Sequence, residues 1–141
     1  MRDETYAFLN RPKVAETELR HLQLKWLTVH SAMVPGGIRY DLPRVQTSPE
    51  DRLLALAAEA DELERLIATK TRALNALTRE TIETVRRITD QHEARVIVLH
   101  YIDGMAYGEI AERLKRSERW VYDHRETGLS KLDEAFEGVT V

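Results

Sequence analysis

Between Pro49 and Ile88 the apolar side chains Leu56, Ala60, Leu63, Ile67, Leu74 and Leu77 recur on alternating three- and four-residue steps, interrupted at Lys70, and Ile82, Val85 and Ile88 resume at a shifted phase. That spacing lays an apolar seam along one side of a single helix, with one stutter where the phase changes. The start is marked in the sequence: Ser48 as N-cap, Pro49 at the first helical position, and Glu50 and Asp51 near the positive end of the helix dipole. A helix over this span would be about 60 Å long at 1.5 Å per residue. Isolated helices are marginal in water, so the seam needs an apolar partner: the first helix, a second copy of the chain, or both. The expectation is an all-α fold in which a long coiled-coil-like helix braces the chain or makes a homodimer.

The remaining sequence divides around that helix. From about Lys13 to Ala32, Val14, Leu19, Leu22, Trp26, Leu27 and Val29 fall mostly three or four apart, which predicts an N-terminal helix with Pro12 in its first turn. The stretch from Met33 to Pro43 breaks all periodicity and is read as a linker or ordered loop. Thr89 and Asp90 followed by Glu93 form a second capping pattern, so the long helix is expected to break or kink there. This gives three segments: residues 1–47, an N-terminal helix and linker; 48–88, the long helix; and 89–141, a separate C-terminal module.

The C-terminal module opens with a densely apolar helix, Ala94 to Ile102, whose Arg95-Val96-Ile97-Val98-Leu99 is the one strand-like run in the chain. Asp103-Gly104 supplies a turn, with Gly104 free to take a left-handed conformation. Tyr107 to Leu114 follows as a short helix with Ile110, Ala111 and Leu114 on its inner face; Lys115-Arg116-Ser117 makes a tight polar turn. Ser117 then caps a last helix from Glu118 to about Glu134 that buries Val121, Gly128, Leu129 and Leu132. Two short helices at a tight turn, a small residue where they cross and a longer third helix with polar outward positions match what a helix-turn-helix needs to enter a major groove. Lys115, Arg116, Ser117, Glu118, Arg119, Trp120, Tyr122, Asp123, Arg125 and Glu126 are the candidate DNA-binding residues. Lys115, Arg116, Arg119 and Arg125 suit phosphates or a guanine edge, and Asp123 can accept from a cytosine amino group. Trp120 is expected to pack on the preceding helix and Tyr122 to point outward. The competing account is a solvated mixed-charge face, since cations exceed acids by only two between Glu112 and Lys131.

The run from Ala94 to Leu132, above all Val98-Leu99-His100-Tyr101-Ile102-Asp103-Gly104-Met105-Ala106-Tyr107-Gly108-Glu109-Ile110-Ala111, resembles the region 4 helix-turn-helix of bacterial sigma factors. From about Thr17 to Phe136, including Arg44-Val45-Gln46-Thr47-Ser48-Pro49, the chain is similar to the phage-encoded sigma-like regulators of the ArpU/RinA type. The resemblance implies activation of phage or prophage late genes, binding of double-stranded DNA near a promoter and contact with host RNA polymerase. Three positions depart from the pattern. Ala106 stands where Ser or Thr usually caps the helix, a loss of roughly 1 kcal/mol. Gly128 replaces Ala in the last helix, at up to about 1 kcal/mol in propensity. Glu118, Asp123 and Glu126 lie among the DNA-facing positions, where they would repel phosphate.

The acids on the last helix also suit a second function, a sigma-like module docking on RNA polymerase or another phage protein. A terminase small subunit is a third, although such proteins usually place the DNA-binding domain before the oligomerisation helices. Enzymatic chemistry is not expected: the chain has no cysteine, no Gly-rich phosphate loop and no nucleophile constellation, and its five histidines lack ligand spacing. Glu59, Asp61, Glu62 and Glu64 read as solubilising charges. No metal or other cofactor is expected. A net charge of −3 argues against a sequence-blind polyanion binder. With no apolar run near the roughly 18 residues a membrane span needs, and no signal core after Met1-Arg2-Asp3-Glu4, the expected location is the cytoplasm, with no membrane partner.

Overall fold

A computed structural model describes residues 1–34 and 48–137. It is all-helical, with no strand among the described residues: α1 (Asp3–Met33), α2 (Pro49–Ile88), α3 (Gln91–Ile97), a π-helical turn (Val98–Ile102), α4 (Tyr107–Leu114) and α5 (Glu118–Ala135). The linker expected between Met33 and Pro43, and the residues 44–47 that entered the family resemblance, lie largely outside the described residues.

The helix starts follow their local chemistry. Ser48 Oγ accepts from the Asp51 N–H at 3.2 Å. Asp90 caps α3 through a full capping box, its carboxylate accepting from the Glu93 N–H at 2.8 Å while Glu93 Oε1 accepts from the Asp90 N–H at 3.2 Å. That backbone hydrogen bond from Glu93 is the main reason the Asp90 carboxyl titrates below its usual value. Every named seam position of α2 is buried or half-buried, while Lys70, where the phase breaks, is exposed. The strand-like Arg95–Leu99 run is helical, because its Val96, Ile97 and Leu99 are buried among other helices and tertiary packing outweighs β-branched propensity.

The start of α1 differs from the sequence expectation. The helix begins at Asp3, ten residues ahead of Lys13, and Pro12 lies inside it. Proline there has no N–H for the Phe8 carbonyl four residues back. The Arg11 Nε–H donates to that carbonyl instead at 3.4 Å, with its guanidinium 4.4 Å from the centre of the Phe8 ring.

The described residues pack as two compact units, those within Ala15–Ala73 and those of Met1–Val14 with the chain from Leu74 onward. In the first, Val29 and Ala32 of α1 bury Leu56, Ala60 and Leu63 of α2, with Leu22, Trp26 and Met33 alongside. The pairing is antiparallel, since Trp26 Nε1 donates to Glu64 at 3.1 Å and Leu22 lies near Leu66. The first helix is therefore a partner for the seam over this stretch.

The second unit has two cores. One gathers Leu9, Val85, Ala94, Ile97, Leu129 and Leu132, flanked by Phe8, Ile88 and Phe136. The other holds Val96, Leu99, Ile110, Ala111 and Val121, with Met105, Tyr107, Leu114 and Trp120 at its edge. The chain start is tied to α5: Thr5 Oγ1 donates to Asp133 Oδ1 at 2.6 Å, and the Arg2 N–H donates to the same oxygen at 3.0 Å. Burial disfavours the Asp133 carboxylate, but these bonds and the nearby amino terminus outweigh it and hold the carboxyl below its usual value.

Gly128 has a packing role beside its cost in helix propensity. A Cβ on it would lie 2.6 Å from Ile97 Cδ1 and 3.1 Å from Glu93 Cβ. The glycine sets how closely α5 can approach α3, so its cost in helix propensity is offset by packing.

Candidate nucleic-acid interface

α4 ends at Lys115, whose backbone is left-handed (φ 55°), and the Arg116 N–H reaches back to the Ala111 carbonyl at 2.9 Å. The turn then passes to Ser117, whose Oγ accepts from the Trp120 N–H at 3.1 Å and starts α5. Ile110, Ala111 and Val121 lock the two helices together. Ala106 contributes no side-chain cap to α4. The Glu118 carboxylate lies 3.2 Å from where a Gly108 Cβ would stand, in the first turn of α4, and there its charge favours the positive end of that helix.

α5 buries Val121, Gly128, Leu129 and Leu132. Glu118, Arg119, Tyr122, Asp123 and Glu126, spaced alternately by one and three residues, form a single exposed row on it. Arg125 departs from that row. It is half-buried, its guanidinium is 5.2 Å from the centre of the Tyr107 ring, and its Nε is buried with no hydrogen-bond partner. Tyr107 is stacked on His100 at 4.0 Å and meets Tyr122 at 4.8 Å. Burial, reinforced by the neighbouring Tyr101, pushes the Tyr107 hydroxyl well above its usual pKa.

Lys115, Arg116 and Trp120 open onto a different surface. Together with His92, Arg95, Leu99, Arg113 and Leu114 they line a cleft of about 300 Å³. Trp120 is a partly buried wall of it: His124 packs at 3.9 Å, His92 meets it edge-on at 5.4 Å, and the Arg116 guanidinium is 5.0 Å from its ring centre. His124 is held in place by donating from Nδ1 to the Trp120 carbonyl at 2.7 Å. Among the described residues, Arg95, Arg113, Lys115 and Arg116 make no ion pair, and no carboxylate lines the cleft.

The ten candidate residues are thus separated into an outer row of five on α5, a turned-in Arg125, the turn Lys115–Ser117, and Trp120 in the cleft wall. Sequence reasoning missed His92 and Arg95, which α3 brings to the turn. The available signal was Arg95 itself, a lone cation among apolar neighbours from Ala94 to Leu99. Among the described residues no group of three His, Asp or Glu side chains could hold a metal ion, and no helix is long and apolar enough to cross a membrane. No family model, curated protein or solved structure matches the chain.

Proposed function

We propose that the chain is a sequence-specific DNA-binding regulator of transcription in which α4, the turn and α5 act as a helix-turn-helix. The observation that carries this reading is the outer row of α5. Glu118, Arg119, Tyr122, Asp123 and Glu126 stand exposed on a helix whose opposite side is locked to α4 through Val121, Ile110 and Ala111. A rigid helix with a free mixed row of donors, acceptors and an aromatic ring suits base edges in a major groove. Lys115 and Arg116 at its start suit the flanking phosphates. The long helix α2 serves as brace and homodimer contact, with Leu53, Leu54 and Leu66 exposed on it. A dimer would read half-sites about 34 Å apart or a multiple of that. Action on phage or prophage genes in the cytoplasm rests on the sequence resemblance and composition alone.

The test is selection of bound sequences from a random duplex library at two salt concentrations, with wild type and Arg119→Ala. The expected result is one enriched motif, weakened steeply by salt and lost in the variant. Absence of any motif at low salt would refute the reading. The three acids of the outer row favour a second reading, docking on RNA polymerase or another protein. Capture of a purified polymerase subunit, abolished by reversing Asp123 and Glu126 to lysine, would establish that reading.

A further inference from the structure

The cleft between α3, the end of α4 and the start of α5 is not part of the outer row of α5, and its composition is unusual for a protein with net negative charge. Arg95 comes from α3, Arg113 from the last turn of α4, and Lys115 and Arg116 from the turn, with His92 and Trp120 closing the walls. Four permanent cations share about 300 Å³ with no carboxylate among the lining residues. Four cations lining one cleft without a carboxylate make its local potential positive and attract an anion. All four are exposed side chains, and none of them makes an ion pair among the described residues.

We infer that this cleft is a phosphate seat for a nucleic-acid backbone, with Arg95 and Arg113 as its principal donors, lying beside the face of α5 and adding affinity without reading sequence. Three guanidiniums offer planar forks that pair with two phosphate oxygens at once. Lys115 and Arg116 line the cleft and immediately precede α5, which begins at Glu118, so a phosphate seated there lies next to the start of the helix that carries Arg119. A duplex can place a phosphate in the cleft and base edges against the outer row at once; a small anion fills only the cleft. Trp120 forms the wall against which the Arg116 guanidinium lies, 5.0 Å from its ring centre, and so reports on what that guanidinium binds. The inference rests on the DNA-binding reading for the placement of the duplex, and adds Arg95 and Arg113 as contacts that the helix-turn-helix alone does not assign.

The sequence contains only two tryptophans, and Trp26 lies in the other unit, so the full chain carrying Trp26→Phe reports the cleft through Trp120 fluorescence. Titrants are a random-sequence duplex, pyrophosphate and polyglutamate. The double variant Arg95→Ala with Arg113→Ala is compared with Arg95→Lys with Arg113→Lys, which keeps the charge, and with Arg79→Ala, an exposed arginine elsewhere on α2. The expected result is that random duplex shifts Trp120 emission, that the alanine pair weakens this roughly tenfold, and that the salt slope falls by about 1 per arginine removed. The lysine pair should recover most of the binding, and Arg79→Ala should bind as wild type. Unchanged duplex binding in the alanine pair overturns the inference. So does a Trp120 response to pyrophosphate or polyglutamate with none to duplex, which would make the cleft a small-anion site or a dock for an acidic protein. Failure of the helix-turn-helix reading looks different: no motif is selected, while random-duplex binding still depends on Arg95 and Arg113.

Discussion

Gly128 shows how one missing methyl group sets the position of a helix. The α3 surface opposite it carries Ile97 and Glu93, both fully buried, and Glu93 is held from two sides, by the Asp90 N–H and by the Lys131 ammonium. Neither neighbour can retreat freely, so Gly128→Ala is expected to destabilise the protein. Overpacking of about 1–3 kcal/mol outweighs a propensity gain of about 1 kcal/mol. Chemical denaturation checks the sign; a more stable variant would mean that Ile97 relaxes without cost. The hydrogen bond with Glu93 also raises the Lys131 pKa. The second carboxylate oxygen of Glu93 has no partner, so this side chain depends on its two existing contacts.

Among the elements, α1 and α5 are joined by a contact that depends on pH. Asp133 accepts from Thr5 and from the Arg2 backbone, and its folded pKa lies below the ordinary value of 3.8. A depressed carboxyl pKa stabilises the fold above the unfolded value, and the contribution is lost as pH falls through the folded value. Melting temperature should therefore decline on acidification below about pH 4, and Asp133→Asn should flatten that part of the profile while lowering the plateau at neutral pH. An acid limb unchanged by the substitution would place the titration elsewhere. The same helix start explains why Pro12 is tolerated inside α1: Leu9 is fully buried and Pro12 itself is buried, so packing holds a helix that local preference would end.

For the whole molecule, the consequence is that the helices bearing the candidate interface are stabilised by residues from the beginning of the chain. Leu9 lies in one core with Val85, Ile97, Leu129 and Leu132, although more than seventy residues separate it from the nearest of them in sequence. Leu9→Ala should cost about 2–5 kcal/mol, read in the Trp26→Phe background as earlier loss of Trp120 fluorescence in urea. If the Trp120 transition stays where it is, α3 to α5 fold without the chain start.

Local information was sufficient for much of this structure. The seam of α2, the caps at Ser48, Asp90 and Ser117, the left-handed Gly104 and the polar turn at Lys115–Ser117 could all be read in sequence, because each depends on residues within a turn or two of one another. The start of α1 could not, since proline signals a boundary locally and only burial against distant residues overrides it. Nor could the role of Gly128, because a clash depends on another helix. The outer row of α5 was legible as helical periodicity. The cleft was not: Arg95 and Arg113 are neighbours only after α3, α4 and α5 pack over Val96, Ile110 and Val121. Sequence by itself determined most of the helices and their caps, since hydrogen bonding and side-chain period act over a few residues. Tertiary structure alone decided which charges converge, since convergence depends on how buried faces fit.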